Sequence, residues 1–489
     1  MKIGFDNDKY IKLQSEHIRD RINRFDNKLY LELGGKLFDD HHASRVLPGF
    51  CPDSKIKMLR ELSDKAEIVI AVSAIDIEKN KMRGDIGITY DEEVLRLIEA
   101  FKDMGLYVGS VVITQYSGQF NVDLLKRRLA AINMPTYYHY PIKGYPSDIQ
   151  HIVSDEGYGR NEYIETTRPL VIVTAPGPGS GKMATCLSQL YHEYKRGVRA
   201  GYAKFETFPI WNLPLKHPVN LAYEAATADL RDVNMIDPFH LEKYGEYAVN
   251  YNRDVEAFPL LSAIFEKIIG SCPYASPTDM GVNMAGYCIT DDGVVSKASR
   301  EEIIRRYYTA KCLQLKCLED DETVYKIELV MKQAGITPMD RRCAKAAVER
   351  AEAVGVPVAA IELDDGTVLT GKTSSLLGAS SALLLNTLKY LGGIPDSVHL
   401  LSADVIEPVQ SLKTEHLGSR NPRLHTDETL IALSVCAAQD DKAAHALCQL
   451  PKLRGTDAHS SVMLSSVDKS VFKKLGVNLT CESVYEKRE

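Results

Sequence analysis

The feature that most constrains this chain is the spacing of its β-branched runs. Apolar runs at 29–33, 68–72, 108–114, 136–140 and 170–174 alternate with amphipathic helical patterns such as 92–104 and 123–132. Parallel neighbours in a sheet need a crossover long enough to hold a helix, so this alternation predicts a layered α/β domain with a largely parallel sheet. A glycine-rich segment at 177–182 follows the fifth run, then a helix to about 195 and a further strand at 203–208. We expect this first domain, of P-loop or Rossmann-like build, to span 1–236.

From 237 the pattern changes. Helical segments at 255–269, 300–318 and 322–333 dominate, and Ser299 with Glu302 has the spacing of a capping box. This predicts a mainly helical middle domain over 237–354. The chain then returns to α/β, with a strand at 358–363, a turn at Asp364-Asp365-Gly366, a strand at 367–370 and a helix to about 390. The third domain is expected over 355–489. The segment Ile-Thr-Asp-Asp-Gly-Val-Val at 289–295 echoes Glu-Leu-Asp-Asp-Gly-Thr-Val at 362–368, and two hairpin turns would account for the likeness.

At 489 residues the chain is long enough to bury full hydrophobic cores. Its 59 Lys and Arg stand against 66 Asp and Glu, a net charge of −7 that argues against nucleic acid as a partner. The densest basic cluster, Lys126-Arg127-Arg128, belongs to an ordinary amphipathic helix. No 18-residue apolar run and no N-terminal apolar region of signal-peptide type occur, so we expect a cytoplasmic protein without a membrane partner. The ten cysteines include no C-x-x-C pair, which suits reduced, largely buried thiols.

Two segments compete as a phosphate loop. The strict G-x-x-x-x-G-K-[ST] pattern occurs at 366–373, yet it contains Val368-Leu369-Thr370 and opens on Asp365-Gly366, the marks of a hairpin strand entering a helix. The looser Pro176-Gly177-Pro178-Gly179-Ser180-Gly181-Lys182-Met183 better suits a cradle of backbone N–H groups between a strand and a helix. We expect Gly177, Gly179, Ser180, Gly181 and Lys182 to bind phosphate, with Lys182 neutralising charge on the reacting group. Met183 stands where a hydroxyl would hold Mg²⁺, and Thr185 lies about 200° further round the helix.

Three further segments are candidates for the facing wall. The first supplies Lys36 and Arg45 as anion holders and Asp39 and His41 as acid–base or metal groups. The second, 76–85, brings Asp76, Arg83 and Asp85 to the carboxyl end of the second strand, where open α/β sheets bind ligands. The third, 206–220, combines Trp211 and Asn212 with several prolines as a rigid substrate wall. Asp39 and Asp85 are assigned with Lys182 to the catalytic set. His416, His425 and His459 converge only if the fold brings them together. There is no H-E-x-x-H and no G-x-S-x-G, so neither a zinc protease nor a serine hydrolase is supported.

The stretches 33–50, 76–90, 175–182, 205–220 and 371–385 together resemble a bacterial family of no assigned activity, uncharacterised protein family UPF-0371, domain of unknown function 1846. The resemblance covers essentially the whole chain and implies bacterial origin and an α/β, helical, α/β layout. The last domain is also similar in outline to a cytidine-deaminase-type layer, without that chemistry's zinc residues. Two functional readings stay open. One is a nucleotide- or phosphate-dependent enzyme using ATP or another phosphate-containing ligand with Mg²⁺. The other is a non-catalytic, metabolite-sensing or structural homo-oligomer. An anionic small molecule is the expected ligand in either case.

Overall fold

The structure, a computed structural model, describes residues 2–34, 37–38, 40–83 and 87–486. Its contacts divide the chain into two compact units, one of Lys2–Glu224 with Leu230–Ala298 and one of Ala225–Asp229 with Ser299–Glu489.

The first unit is built on a seven-stranded sheet. Its strands are β1 (Leu29–Leu33), β2 (Ala66–Ser73), β3 (Val108–Thr114), β4 (Thr136–Tyr138), β5 (Leu170–Thr174), β6 (Gly201–Phe205) and β7 (Gly281–Val282). They lie in the order β7-β6-β1-β5-β2-β3-β4, and every neighbouring pair is parallel. Tyr30, Val69, Ala71, Val112, Val171, Val173 and Tyr202 share one face, packed against Leu187 and Leu190 of the helix Lys182–Lys195 and Phe258, Leu261 and Phe265 of the helix Asn252–Ile269. The alternate residues Leu31, Ile68, Ile70, Val72, Leu170 and Ile172 are buried as well, so both faces are covered.

The second unit has a four-stranded sheet of β8 (Val358–Glu362), β9 (Val368–Lys372), β10 (Asp457–Ser460) and β11 (Asn478–Cys481), in the order β9-β8-β10-β11. β8 pairs antiparallel with β9 and β10, and β10 pairs parallel with β11. The strict P-loop pattern is the β8–β9 hairpin, with Gly366 at a φ of +83° in its turn. The helix Ala379–Leu391 packs so closely on β9 that a side chain at Gly371 would enter the backbone of Leu383 and Ala382.

Helices of the 237–354 stretch are shared between the units: Asn252–Ile269 packs on the first sheet, and Arg342–Val354 places Cys343 and Ala347 against Ala360 of β8. The capping box at Ser299 is corrected. The helix runs Asp292–Leu315, its start held by Asp291 Oδ1, which accepts from Val294 N at 3.1 Å. Ser299 and Glu302 therefore lie inside it, and Glu302 pairs with Arg305 and Arg306. The echo of Asp-Asp-Gly resolves the same way, a helix start at 291–293 and a hairpin turn at 364–366.

Candidate functional site

Chain order marks where a parallel sheet of this kind is expected to open a crevice. β2 and β5 are neighbours, but the chain leaves β2 toward β3 and β4 and leaves β5 toward β6 and β7. Connections diverging from adjacent parallel strands open a gap at their carboxyl ends, where such sheets bind ligands. The segment after β5 is the glycine loop, and the segment after β2 holds Asp76.

Gly179 and Gly181 adopt φ of +76° and +84°, which side-chain-bearing residues rarely accept. Gly181 is the N-cap of Lys182–Lys195, with no side-chain cap. Among the described residues, none accepts a hydrogen bond from the backbone N–H of Gly179, Ser180, Gly181, Lys182, Met183 or Ala184. A consecutive run of unpaired donors at a helix start carries partial positive charge. The loop is braced from below: Thr114 Oγ1 donates to Ser180 O at 2.9 Å, and Ser180 Oγ donates to Gly177 O at 2.9 Å. Gly177 serves packing, because its missing side chain leaves the place taken by the Tyr90 hydroxyl. Met183 turns into the core of the sheet face. The Thr185 hydroxyl is buried and has no partner among the described residues.

Tyr90 brings the second wall segment to this loop. Lys81 Nζ lies 5.1 Å from the Tyr90 ring centroid and 3.3 Å from Asp76 Oδ1. Arg83 forms an ion pair with buried Glu93. His41 starts the helix His41–Val46 and is exposed, and Arg45 in its last turn is half-buried. The cap of that helix is Asp40, whose Oδ1 accepts from Ala43 N at 3.2 Å and whose Oδ2 lies 3.0 Å from Lys55 Nζ. Burial alone would raise the Asp40 carboxyl, but the Lys55 charge holds it below its ordinary range. Lys36, Asp39 and Asp85 lie outside the described residues.

A second group of charges sits at the carboxyl ends of β1 and β6. Alternation puts Tyr202 and Lys204 of β6 on the same face, Glu206 follows in the same phase, and register sets Lys204 beside Glu32 of β1. Lys204 is half-buried, its Nζ 2.8 Å from Glu206 Oε1, and forms an ion pair with Asp254 of the helix Asn252–Ile269. Tyr251 donates to Glu206 Oε1 at 2.8 Å, and Tyr202 donates to Glu32 Oε2 at 2.7 Å. Burial pushes the Glu206 carboxyl up to about 7, against the pull of Lys204 and with the help of Asp254. The same carboxylates hold the Lys204 ammonium well above its ordinary range despite its burial. Gly281 of β7 lies between Trp211 and Glu206: a Cβ there would be 2.6 Å from Trp211 Cζ2 and 3.6 Å from Glu206 Oε2. Asn212 is exposed and faces Gly286.

Residues 3–335 match the family described as domain of unknown function DUF1846, N-terminal, and residues 339–489 match its C-terminal counterpart. The chain belongs to this family. It is 56% identical over 486 residues to the UPF0371 protein of Streptococcus sanguinis, covering 99% of this chain and 98% of that one. A UPF0371 protein of Streptococcus thermophilus matches at 56% and one of Streptococcus pneumoniae at 55%, with the same coverage. The family thus spans both sheets.

Within this family member, sequence reasoning reached the glycine loop and the Glu206–Asn220 segment but passed over Lys204, Tyr251 and Asp254. A signal was there: Tyr202, Lys204 and Glu206 put a polar residue at every second position of a run entering a buried parallel sheet, where continuous apolar character is the rule. Among the described residues no group of three His, Cys, Asp or Glu side chains stands close enough to hold a metal ion, and no helix is long and apolar enough to cross a membrane.

Proposed function

We propose that this protein is an enzyme acting on a small molecule that carries a phosphate, either a nucleotide such as ATP or a phosphorylated metabolite. The observation that carries the reading is the run of N–H groups from Gly179 to Ala184, without an acceptor among the described residues, at the carboxyl edge of a parallel sheet. These groups would hold phosphate oxygens, and Lys182 would supply the mobile positive charge. This use of the first turn after a central strand is the one P-loop and Rossmann-like folds make of it.

Glu206 is the proton-exchanging group of the proposal, because a carboxyl near 7 can both give and take a proton at neutral pH. β5 and β6 flank β1, so their ends are about 10 Å apart at the usual strand spacing. A substrate anchored by phosphate on the loop would reach Glu206 with a group roughly a sugar ring or more away, as nucleotides and phosphosugars do. The ten free cysteines support a reducing, cytoplasmic setting.

Met183 favours a second reading. Its side chain packs into the core, so no hydroxyl of the usual Ser/Thr kind holds Mg²⁺ there, and a loop that binds an anion without turnover fits a metabolite sensor. Calorimetric titration with ATP, GTP and phosphosugars, wild type against Lys182→Ala, tests the phosphate site. We expect binding by the wild type and at least tenfold weaker binding by the variant. Equal binding by both, or none by either, overturns the site. Phosphate release that Glu206→Gln abolishes supports the enzyme, and binding without release under any added metabolite supports the sensor.

A further inference from the structure

The second unit holds a cavity that the reading above does not use. Its volume is about 170 Å³, room for several waters and below the range of drug-sized sites. The starts of three helices meet it: Ala379–Leu391 through Gly378 and Ser380, Thr426–Ala437 through His425, and Ser466–Lys474 through Ser465 and Asp468.

Asp468 already serves two of these ends. Its Oδ1 accepts from Thr426 N at 2.9 Å and Thr426 Oγ1 at 3.0 Å, and its Oδ2 accepts from Ser465 Oγ at 2.7 Å and lies 3.0 Å from His425 Nδ1. The carboxylate is saturated. The third end has no such partner. Gly378 caps Ala379–Leu391 without a side chain, and no acidic residue lies in the first turn. Among the described residues, none accepts from the N–H of Ala379, Ser380 or Ser381.

Two side chains point independently to a ligand. Ser380 is 2% exposed and Thr373 is 8% exposed, both line the cavity, and neither hydroxyl has a hydrogen-bond partner among the described residues. The two residues are buried while their hydroxyl oxygens open onto the cavity, so whatever occupies it is the partner left to them. Two basic groups line the cavity, each beside a carboxylate that lines it too: Arg423 Nη1 lies 2.6 Å from Glu486 Oε1, and His425 Nδ1 lies 3.0 Å from Asp468 Oδ2.

We propose that this cavity binds a tetrahedral oxyanion, inorganic phosphate or the phosphate of a monoester of a few carbons. The N–H groups of Ala379–Ser381 and the hydroxyls of Ser380 and Thr373 hold its oxygens, and Arg423 and His425 neutralise its charge. The site is independent of the glycine loop, so it is tested in the full chain carrying Lys182→Ala.

Inorganic phosphate, glycerol phosphate and acetate are titrated against that protein by calorimetry, with the thermal midpoint measured beside each. We expect phosphate or glycerol phosphate to bind and to raise the midpoint, and acetate to bind at least tenfold more weakly. Binding of inorganic phosphate alone assigns the free ion, and tighter binding of glycerol phosphate assigns the ester. Adding Thr373→Val and Ser380→Ala removes hydroxyls that serve no protein group, so the ligand-free midpoint should hold while phosphate affinity falls at least tenfold. Arg423→Gln should weaken binding with the fold intact. Acetate binding equal to phosphate, no binding of either phosphate, unchanged affinity in the Thr373→Val, Ser380→Ala protein, or a ligand-free midpoint lowered by those changes would each overturn the proposal.

Discussion

Lys204→Met is the most incisive single change, because it separates a charge network from simple packing. Methionine keeps the length of the chain and removes the ammonium that faces Glu206 at 2.8 Å and also pairs with Asp254. At that distance the attraction is about 6 kcal/mol at an effective dielectric constant of about 20. Releasing the ammonium's own desolvation offsets part of this, and breaking a buried pair from one side costs about 3–5 kcal/mol in net. The expected loss is therefore about 4 kcal/mol near pH 8. Without Lys204 the Glu206 carboxyl, already raised by burial, loses the charge that holds it down and stands further above its unfolded value. Between the unfolded and folded pKa the native state then binds more protons, so stability falls as pH rises. A Glu206 carboxyl that stays protonated recovers up to about 1.4 kcal/mol per pH unit on acidification. Urea unfolding read by Trp211, the sole tryptophan, reports on this unit directly. A loss below about 1 kcal/mol, or one that is equal at about pH 6 and pH 8, would refute the network. Lys204→Met with Asp254→Asn should regain part of the stability at high pH.

Other outcomes follow from particular contacts. Gly371→Ala drives a methyl into the backbone of the helix Ala379–Leu391 and should cost about 3 kcal/mol or more, seen as a lowered thermal midpoint by circular dichroism. Thr185→Val replaces an unpartnered buried hydroxyl with a methyl of the same shape, so urea unfolding should show it neutral or more stable by up to about 1 kcal/mol. Asp468 is held at about 2 by hydrogen bonds from His425, Ser465 and Thr426 that outweigh its burial. A depressed carboxyl gives stability above its unfolded pKa and loses it as pH falls, here about 2.5 kcal/mol between about pH 4 and pH 2. Asp468→Asn should remove that part of the acid unfolding curve.

The strands were legible because β-branched runs in a doubly covered parallel sheet have few alternatives. Leu29–Leu33, Val108–Thr114 and Leu170–Thr174 fall at the residues read from sequence, and the glycine loop lies where a strand meets a helix. Helix starts were harder. Ser299 and Glu302 carry the letters of a cap, but Asp291, eight residues before Ser299, binds a free N–H first and the helix simply continues through them. The Lys204–Asp254 pair was illegible for another reason: its partners are 50 residues apart, and only the seating of the helix Asn252–Ile269 on the sheet brings them together. Thr373 matched a phosphate-loop pattern for which its hairpin setting is wrong, yet its hydroxyl lines a cavity of another kind.

The ends of the first sheet carry a consequence for assembly. Its outermost strands are the two-residue Gly281–Val282, with Trp211 lying against Gly281, and the three-residue Thr136–Tyr138. Strands this short present too few free backbone groups to template a neighbour. A second copy therefore finds little ladder to extend at either end of this sheet. Partners of the first unit, of whatever kind, would be selected by surface shape and charge, which a point substitution can change without touching the sheet.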